Sequence, residues 1–470
     1  MLAAVAEKTF TFTTRIQRPA AEVFAWHERP GALARLCPPW ERIRIVHASG
    51  GIRDGARVTV RNKIGPLWME WHVGHRDFIE GKQFRDVQLR GPFSKWEHLH
   101  RVQPDGPDAC WLTDEITYRL PGGSVGAALG GSYTERTLSR LFTWRHAVTK
   151  MDVELVNRYG ANQPQRVLIG GSSGLIGSAL VPFLQTQGHT VIRLERRPTS
   201  RADEVFWNPA AGEVNAAAIG EIDAIINLSG ENVGAGRWTA ERRDAIMRSR
   251  TNATRTLVDM IKTLRRKPRV FVSASAVGLY GNRGDELLSE GSEPGHGFLS
   301  DVCRAWEAEV GGAEALGVRT ALLRLGVVLS PAGGALGKLY PLFLAGLGGR
   351  VGGGRQWMSW VTIDEVVGAF YHAILDERCR GPLNVVTPHP VTNAEFAATL
   401  GRVLRRPAVF PVPSAVLRAL FGEMADATLL ASTRAVPQRL LETGYAFRHP
   451  TLEAALRHVL GRFSGAVTQV

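Results

Sequence analysis

The alternation of hydrophobic and polar residues changes in character near residue 157. Before that point, apolar and polar side chains alternate over short runs, which is typical of strands with one buried face. Seven such runs predict strands over 9–17, 43–47, 56–63, 68–79, 83–89, 96–102 and 109–119. A short helix is predicted over 20–26, a glycine-rich turn over 121–131 and a long helix over 133–156.

These elements predict an α+β domain over residues 1–157, in which a curved antiparallel sheet grips the long closing helix. Such an arrangement leaves a cavity between sheet and helix, so we expect a pocket for an apolar ligand. Seven of the twelve tryptophans lie in this region, and they either line the pocket or fill the core.

After a polar segment at 158–165, read as a linker, strands alternate with helices. Apolar runs occur at 167–169, 190–194, 223–228, 269–273 and 319–325, and helical patterns at 178–187, 239–264 and 299–316. This order predicts a Rossmann-type α/β fold over 166–380, a doubly wound parallel sheet. Residues 381–470 are predicted to form a small, mostly helical C-terminal subdomain.

The first of these runs ends in a glycine turn whose spacing indicates dinucleotide binding. Gly171 permits a tight turn, Gly174 lets the backbone approach a pyrophosphate, and Gly177 allows close packing of helix and strand. Unpaired N–H groups at the start of the following helix then face the phosphates. The plain alternative is a glycine-rich turn without a ligand.

The end of the second strand bears on the choice of cofactor. Glu195 stands where an acidic residue accepts hydrogen bonds from a ribose 2′-hydroxyl, which favours NAD. Arg196 and Arg197 follow directly, and an arginine pairs with a 2′-phosphate, which favours NADP. The residues leave both open, with NADP preferred.

Composition narrows the class of protein. The formal charge of +13 fits an anionic ligand, nucleic acid or simply a solvated basic surface, and the basic residues are scattered rather than blocked together. The four cysteines form no CxxC pair, and neither a signal peptide nor a membrane-length apolar run is evident, so we expect a cytoplasmic protein. The thirteen histidines, His98 and His100 among them, show no spacing typical of a metal site, so no metal is predicted.

Further segments carry a resemblance to a known family. They include Gly170-Gly-Ser-Ser-Gly-Leu-Ile-Gly177, Asp223-Ala-Ile-Ile-Asn-Leu-Ser-Gly-Glu-Asn232, Arg237-Trp238, Arg248-Ser-Arg-Thr-Asn252, Phe271-Val-Ser-Ala-Ser-Ala-Val-Gly-Leu-Tyr-Gly281, Phe298-Leu-Ser-Asp-Val-Cys-Arg-Ala-Trp-Glu307, Gly352-Gly-Gly-Arg-Gln-Trp-Met-Ser-Trp360 and Phe447-Arg-His-Pro450. The region 166–455 resembles the short-chain dehydrogenase/reductase superfamily, in particular the atypical epimerase/dehydratase-like oxidoreductases with a C-terminal domain of unknown function.

The resemblance implies an NADP-binding oxidoreductase, with Arg196 at the position that favours NADP. The cofactor-contacting positions it implies are Gly171, Ser173, Gly174, Leu175, Ile176, Gly177, Glu195, Arg196, Leu228, Ser229, Gly230 and Arg250. The segments Pro19-Ala-Ala-Glu-Val-Phe24 and Gly91-Pro-Phe-Ser-Lys-Trp96 make the first region similar to START-like (SRPBCC, polyketide cyclase-like) domains.

The chain departs from the wider superfamily at the catalytic pair. Leu299 stands where the superfamily has its tyrosine and Cys303 where it has its lysine, a loss that is common in the atypical group. Ser275, or else Ser273, matches the superfamily's serine. The candidates to replace the tyrosine are Tyr280, Asp301, Cys303 and Glu307, each of which has a purely structural alternative. Ser275 and Tyr280 are the catalytic residues predicted.

A glycine-rich loop at 346–355 leads into Gln356, Trp357 and Trp360, which we expect to close over the substrate. The alternative is a surface turn anchored by buried tryptophans. The leading interpretation is an NAD(P)-dependent oxidoreductase or epimerase acting on a small molecule, with an appended domain for an apolar ligand. The rivals are a dinucleotide-binding sensor without catalysis and, less favoured, a nucleic-acid-associated protein. The sequence leaves the substrate and the oligomeric state open.

Overall fold

The computed structural model describes residues 7–156, 159 and 163–463, apart from the side chains at 64 and 156. The chain divides into two compact units, one comprising Met1–Gln163, Pro182–Gly188 and Gly461–Val470, and the other Pro164–Val181 and His189–Leu460. Half of the predicted linker at 158–165, namely residues 158 and 160–162, lies outside the described residues.

The first unit is built on one antiparallel sheet of seven strands. Their bounds are β1 (Lys8–Ile16), β2 (Ile43–Ser49), β3 (Arg57–Ile64), β4 (Leu67–Ile79), β5 (Gln83–Arg90), β6 (Lys95–Pro104) and β7 (Cys110–Arg119). The spatial order is β1-β7-β6-β5-β4-β3-β2, so β2 to β7 form a meander and β1 adds to its far edge. All seven predicted strands are present. Alternate residues of β7 are buried, as expected for a strand with one buried face, whereas β2 at the edge of the sheet is almost wholly exposed.

Three helices accompany this sheet: α1 (Ala20–Glu28), α2 (Ala32–Arg35) and α3 (Gly123–Val156). The prediction of a glycine-rich turn at 121–131 is wrong, since α3 begins at Gly123. Each glycine costs a helix about 1 kcal/mol relative to alanine. Extending an existing helix needs no new nucleation, however, so a long packed helix can continue through such a segment.

The second unit contains an eight-stranded sheet in the order β11-β10-β9-β8-β12-β13-β15-β19. The strands are β8 (Arg166–Gly170), β9 (Thr190–Glu195), β10 (Glu204–Asn208), β11 (Glu213–Val214), β12 (Ala224–Asn227), β13 (Val270–Ala276), β15 (Arg319–Leu325) and β19 (Gly381–Val385). All neighbouring pairs are parallel except β10 and β11. This is the predicted Rossmann-type sheet, with β10, β11 and β19 in addition to the predicted strands.

Strand β19 lies beyond the boundary predicted at residue 380, so the sheet extends into the segment assigned to the C-terminal subdomain. The helices of this part are α4 (Leu175–Thr186), whose residues from Pro182 onward are grouped with the first unit, α5 (Ala216–Ile219), α6 (Ala240–Thr263), α7 (Phe298–Glu314) and α9 (Ile363–Leu375). Leu168 and Ile225 of the sheet and Leu257 and Ile261 of α6 are fully buried in one core cluster. Because helices cover both faces of a doubly wound sheet, its central strands read as continuous apolar runs.

Short strands and helices complete the second unit. The strands are β14 (Leu287–Leu288), β16 (Val327–Leu329), β17 (Trp357–Met358), β18 (Trp360–Thr362), β20 (Val391–Thr392) and β21 (Arg434–Ala435). The helices are α8 (Gly334–Leu344), α10 (Asn393–Leu404), α11 (Ser414–Phe421), α12 (Gln438–Glu442) and α13 (Leu452–Val459). Among the described residues, every helix is too short or too polar to cross a membrane.

Candidate functional site

The glycine turn lies where the strand order of the sheet reverses. Strand β8 is flanked by β9 on one side and by β12 on the other, and ligands of such sheets bind outside the carboxyl ends of the strands at this switch point. Gly171 has φ +81°, and a Cβ there would lie 2.7 Å from the carbonyl carbon of Leu228. The turns after β8 and β12 therefore touch, and only glycine permits this approach.

The close packing expected at Gly177 is present in the rest of the turn. A Cβ on Gly177 would lie 2.4 Å from the Gly171 carbonyl oxygen, so this glycine allows the helix to pack against the turn. Ser173 and Gly174 are exposed, and Leu175 and Ile176 form the half-buried first turn of α4. The first N–H groups of a helix lack intrahelical acceptors, which makes this end suited to an anion.

At the end of β9, the acidic and basic candidates have different partners. Ser172 Oγ donates a hydrogen bond of 2.8 Å to Glu195 Oε1, so one carboxylate oxygen is tied to the glycine turn. The Arg196 side chain is 77% exposed, and its nearest carboxylate is that of Glu231, at 3.9 Å. Its guanidinium is accessible at the edge of the crevice that lies outside the carboxyl ends of the strands.

Arg197 has a different role, because it pairs with the carboxylate of Glu204, which is 1% exposed, at 3.1 Å. Arg193 and Arg201 contact the same carboxylate at 2.9 and 3.4 Å. These three guanidiniums compensate one buried charge. Of Arg196 and Arg197, only Arg196 is therefore available to a ligand.

The turn after β12 is organised by Asn227. Its Oδ1 accepts from the Ser229 N–H at 3.1 Å, and its Nδ2 donates to Thr254 Oγ1 at 2.9 Å. Ser229 Oγ is buried and has no hydrogen-bond partner among the described residues. A buried hydroxyl without a partner is costly unless a ligand or water completes it.

Arg250 lies beneath this turn. Its Nη1 and Nη2 donate to the carbonyl oxygens of Ile246 and Glu231, both at 3.0 Å. A Cβ on Gly230 would lie 3.0 Å from the guanidinium carbon, and the charge sits 5.2 Å from the Trp306 ring centroid. Burial lowers the pKa of Arg250, and the site gains a fixed positive charge held by backbone carbonyls.

The residues at the expected catalytic position form a chain of hydrogen bonds. Ser275 Oγ donates to Glu307 Oε1 at 2.6 Å. Arg324 binds the Glu307 carboxylate through Nε at 2.9 Å and Nη2 at 2.8 Å. Burial opposes the charge on Arg324, but the hydrogen bonds and charge of Glu307 outweigh it and raise the pKa of the guanidinium.

Tyr280 is fully buried at the far end of this chain. Its hydroxyl donates to Asn384 Oδ1 at 2.8 Å and accepts from Arg324 Nη1 at 3.0 Å. Burial raises the pKa of this phenol. Its proton is already donated inside the core, so the structure corrects the prediction that Tyr280 meets the substrate.

The other candidates have structural surroundings. Cys303 is buried, its Sγ lies 3.6 Å from the Ala276 carbonyl oxygen, and burial raises the pKa of the thiol to about 11. Asp301 is exposed and pairs with Arg304 one turn along α7. Glu307 is the candidate that the structure brings next to Ser275, although no local sequence signal links the two positions.

The predicted substrate loop divides into exposed and buried parts. Trp360 is fully buried in a core cluster with Phe396 and Leu400, so its ring does not line an open substrate pocket, contrary to the prediction. Trp357 is half-buried, with its indole N–H donating to Asp285 at 2.7 Å and the Arg434 guanidinium 4.2 Å from its ring. Gln356 donates to two backbone carbonyls, at 3.0 and 3.1 Å.

Family models match two segments of the second unit. Residues 167–385 match the NAD dependent epimerase/dehydratase family, and residues 412–459 match a domain of unknown function, DUF1731. Among curated relatives, an epimerase family protein of Mycobacterium bovis is 42% identical over 296 residues, which are 63% of this chain and 98% of that protein. The human epimerase family protein SDR39U1 is 36% identical over 303 residues, 63% of this chain and 99% of that protein.

Solved structures extend the similarity. A structure described as a nucleoside-diphosphate sugar epimerase from Corynebacterium glutamicum aligns with a TM-score of 0.79 at 32% identity, covering 96% of this chain and 90% of that chain. Human SDR39U1, solved with NADPH, aligns with a TM-score of 0.58 at 34% identity over 63% of this chain and 99% of that one. The first alignment therefore takes in both units.

Proposed function

Because the chain belongs to the NAD dependent epimerase/dehydratase family, we propose that it binds a nicotinamide dinucleotide between the turns after β8 and β12 and acts as an oxidoreductase or epimerase on a small molecule. The observation that carries this proposal is the close approach of Gly171 to Leu228. This approach joins the two turns at the carboxyl ends of the strands, outside which such sheets bind ligands in a crevice. The unpartnered hydroxyl of Ser229 and the N-terminus of α4 offer donors for phosphate or ribose. When bound, the dinucleotide supplies the hydride donor or acceptor.

We propose NADP as the preferred cofactor, with NAD as the alternative. Arg196 is exposed at the adenosine end of the crevice, whereas Arg197 is held by Glu204. Glu195, tied to Ser172, opposes a phosphate less than a free carboxylate would. Human SDR39U1, a relative over the second unit, was solved with NADPH, which supports the same preference.

Calorimetric titration with NADPH and NADH tests both statements. We expect NADPH to bind more tightly, and Arg196→Ala to weaken NADPH binding about tenfold while leaving NADH binding unchanged, since a charge-assisted hydrogen bond contributes about 1.5–3 kcal/mol. Arg266→Ala is the matched control. Arg266 pairs with Asp223 at 3.0 Å before β12, at the opposite end of the strand from the crevice.

If Arg196→Ala and Arg266→Ala changed the affinity for NADPH equally, Arg196 would not be part of the site. Tighter binding of NADH than of NADPH would instead assign the cofactor specificity to Glu195. A protein that binds neither dinucleotide contradicts the proposal as a whole.

For the chemical step, we propose that the Ser275 hydroxyl contacts the reacting oxygen of the substrate. Glu307 takes up or returns the proton of this hydroxyl. The Ser275 hydroxyl already donates to Glu307, and the two hydrogen bonds from Arg324 hold the carboxylate in place. General acid–base groups need this direct contact with the hydroxyl whose proton they exchange. Ser275 and Glu307 would thus serve in place of the tyrosine and lysine.

A sensor without catalysis is the second candidate, and Leu299 and Cys303 favour it because neither exchanges protons near neutral pH as a tyrosine–lysine pair does. Turnover distinguishes the two. We would screen carbonyl and alcohol substrates, beginning with nucleoside-diphosphate sugars because the Corynebacterium glutamicum structure is described as acting on them. Tight cofactor binding with no turnover across the screen favours the sensor.

For the first unit we propose a START-like role in holding an apolar ligand. Its sheet carries a cleft of about 410 Å³ at the β5–β6 hairpin, lined by residues 87–91 and 93–97 and by no described residue of α3, so this cleft is not the pocket between sheet and helix that the sequence predicts. Phe93 in this cleft lies with its ring centroid 4.7 Å from that of Trp96 and 5.7 Å from that of Trp71. These rings offer an aromatic surface to an apolar chain within a cleft whose lining is otherwise mostly polar, and the exposed Arg90 suits an acidic end group, whereas Lys95 is paired with Glu7 at 2.9 Å.

A further inference from the structure

A cluster of histidines and aspartates lies on one face of the first unit's sheet. His98 and His100 are alternate residues of β6, so their side chains point to the same face. Asp86 on β5 is opposite His98 in register, and Asp114 on β7 is opposite His100. The side chains of the two histidines are 3% and 10% exposed, and that of Asp86 is 23% exposed, which leaves an approach from solvent.

Three ligand atoms converge within this cluster. Asp86 Oδ2 lies 3.8 Å from His98 Nδ1 and 3.3 Å from His100 Nε2, and one ligand atom from each residue lies within 4.8 Å of the other two. Zinc binds imidazole nitrogen and carboxylate oxygen at about 2.0–2.2 Å, so neighbouring ligands of a tetrahedral ion are about 3.4 Å apart. The observed separations are close to that value.

Asp114 orients both imidazoles from behind. Its Oδ1 lies 2.8 Å from His98 Nε2 and 2.6 Å from His100 Nδ1. A carboxylate accepts hydrogen bonds, so these nitrogens carry ring hydrogens, and the opposite nitrogens face Asp86. Burial opposes the charge on His100, but Asp114 and Asp86 outweigh it and raise its pKa to about 9, so a metal must displace the proton on His100 Nε2 before that nitrogen presents a lone pair. Metal-binding histidines are commonly held by a carboxylate in this manner.

The orienting groups have partners of their own. Asp114 Oδ2 accepts from His146 Nε2 of α3 at 2.5 Å, and His146 Nδ1 lies 2.9 Å from Thr14 Oγ1. His75 Nε2 of β4 lies 3.0 Å from Asp86 Oδ1. Side chains from six elements thus hold two imidazole nitrogens and one carboxylate around a single point.

We propose that Asp86, His98 and His100 bind one transition-metal dication of the Zn²⁺ type, with Asp114, His146 and His75 as the groups that position the ligands. Two imidazoles and a carboxylate suit zinc and its neighbours rather than Ca²⁺ or Mg²⁺. Three protein ligands leave a further coordination position for water or a ligand, as in catalytic rather than structural zinc sites.

The ligands of this site come from two strands, so the sequence alone does not predict it. The spacing of His98 and His100 is that of a strand face, and Asp86 becomes their neighbour only through the register of β5 with β6. Without that register, two histidines at alternate positions cannot be told from ordinary residues on the buried face of a strand.

The test is metal binding by the full-length, tag-free protein after dialysis against a chelator. We expect calorimetry with Zn²⁺ to give one equivalent per chain, and Co²⁺ to give visible absorption bands. Asp86→Asn and His98→Gln should each weaken Zn²⁺ binding at least tenfold, and Asp114→Asn should weaken it about 10–100-fold. His47→Gln, an exposed histidine of the same unit, is the matched control and should bind as the parent does.

A measurement on the unaltered protein covers the case in which a variant fails to fold. We expect Zn²⁺ to shift the ring ¹⁵N resonances of His98 Nδ1 and His100 Nε2 and not those of His47. Absence of Zn²⁺ binding, with His100 protonated on both nitrogens, would show that a proton takes the place of the metal and would overturn the proposal. Binding that all the variants retain would overturn it as well.

Discussion

The Glu307 carboxylate joins residues that are far apart in the sequence. Ser275 lies on β13, Glu307 on α7 and Arg324 on β15, yet the Glu307 carboxylate is 2.6 Å from the Ser275 hydroxyl and 2.8–2.9 Å from the Arg324 guanidinium. The family resemblance predicted Ser275 or Ser273, and Glu307 was one of four alternatives to the tyrosine, but only the packing of α7 against the sheet brings Ser275 and Glu307 together. The same packing encloses Tyr280, which sequence reasoning had placed at the substrate.

Removing the Ser275 hydroxyl tests this arrangement at the level of one atom. We expect Ser275→Ala to lower kcat about 10²-fold on whichever substrate the screen identifies, because proton transfer by a positioned group contributes about 10²–10⁴-fold. The dissociation constant for NADPH should stay within about twofold, since the hydroxyl is directed to Glu307. Steady-state kinetics and calorimetry measure the two quantities.

Ser273→Ala is the control, because Ser273 lies two residues earlier on β13, is fully buried and donates to the Ala274 carbonyl oxygen. Its kcat should match that of the parent. Glu307→Gln should lower kcat as well, and it should also reduce the stability by about 3 kcal/mol because Arg324 stays buried without its carboxylate. Unchanged kcat in Ser275→Ala would assign the proton transfer to another group.

At the scale of elements, strands were predicted most accurately where burial alone determines the pattern of apolar residues. The central strands β8, β12, β13 and β15 were all found as apolar runs. Strands β10 and β19 were not, because Glu204-Val-Phe-Trp-Asn208 and Gly381-Pro-Leu-Asn-Val385 mix polar with apolar residues. Their polar positions are explained by partners that lie outside the strand, such as the arginines around Glu204.

The candidate site shows the same division. The glycines of the turn after β8 could be predicted since turn, strand and helix are contiguous. The choice between Arg196 and Arg197 depends on Glu204, and the cluster around His98 depends on strand register. Functional residues that lie within one segment could be predicted from the sequence, whereas those brought together from several elements could not.

Helix α9 is joined to the C-terminal segment through Glu365, which provides a test at this scale. The carboxylate is 2% exposed and accepts from the backbone N–H groups of Arg448 and His449 at 2.5 and 2.8 Å and from the Tyr445 hydroxyl at 2.7 Å. Burial and the Glu365 charge raise the pKa of Tyr445 well above its ordinary value, so the phenol remains a donor.

Glu365→Gln replaces one acceptor oxygen by an NH₂ group that cannot accept these bonds. We expect a loss of about 2–4 kcal/mol and a melting temperature lower by several degrees, since hydrogen bonds to buried charges contribute about 1.5–3 kcal/mol each. Calorimetric unfolding measures this loss. Glu442→Gln, whose exposed carboxylate contacts Gln438, should melt as the parent does, and equal melting of both variants would argue against the anchoring role of Glu365.

At the scale of the whole molecule, the two units carry the two sets of groups for which we propose ligands. The dinucleotide site proposed for the second unit lies at the carboxyl ends of parallel strands, where the fold itself supplies helix N-termini and glycine turns. The sheet described in the first unit is antiparallel, and the groups proposed to act there project from its face. Each unit can therefore be tested in the full chain by a ligand that the other does not recognise.

For the first unit that ligand is an apolar chain with an acidic end, for which a fluorescent polyene fatty acid is a suitable probe. We expect saturable binding to the full-length protein, detected by energy transfer from tryptophan, since Trp71 and Trp96 lie beside Phe93 in the β5–β6 cleft. Phe93→Ala should weaken binding about fivefold, which corresponds to partial loss of the 1.5–3 kcal/mol that burying such a ring contributes. Phe410→Ala removes an exposed phenylalanine of the second unit and should leave binding unchanged. Non-saturable binding, or equal weakening by both substitutions, would exclude the cleft as a specific site and would leave its aromatic residues a purely structural role.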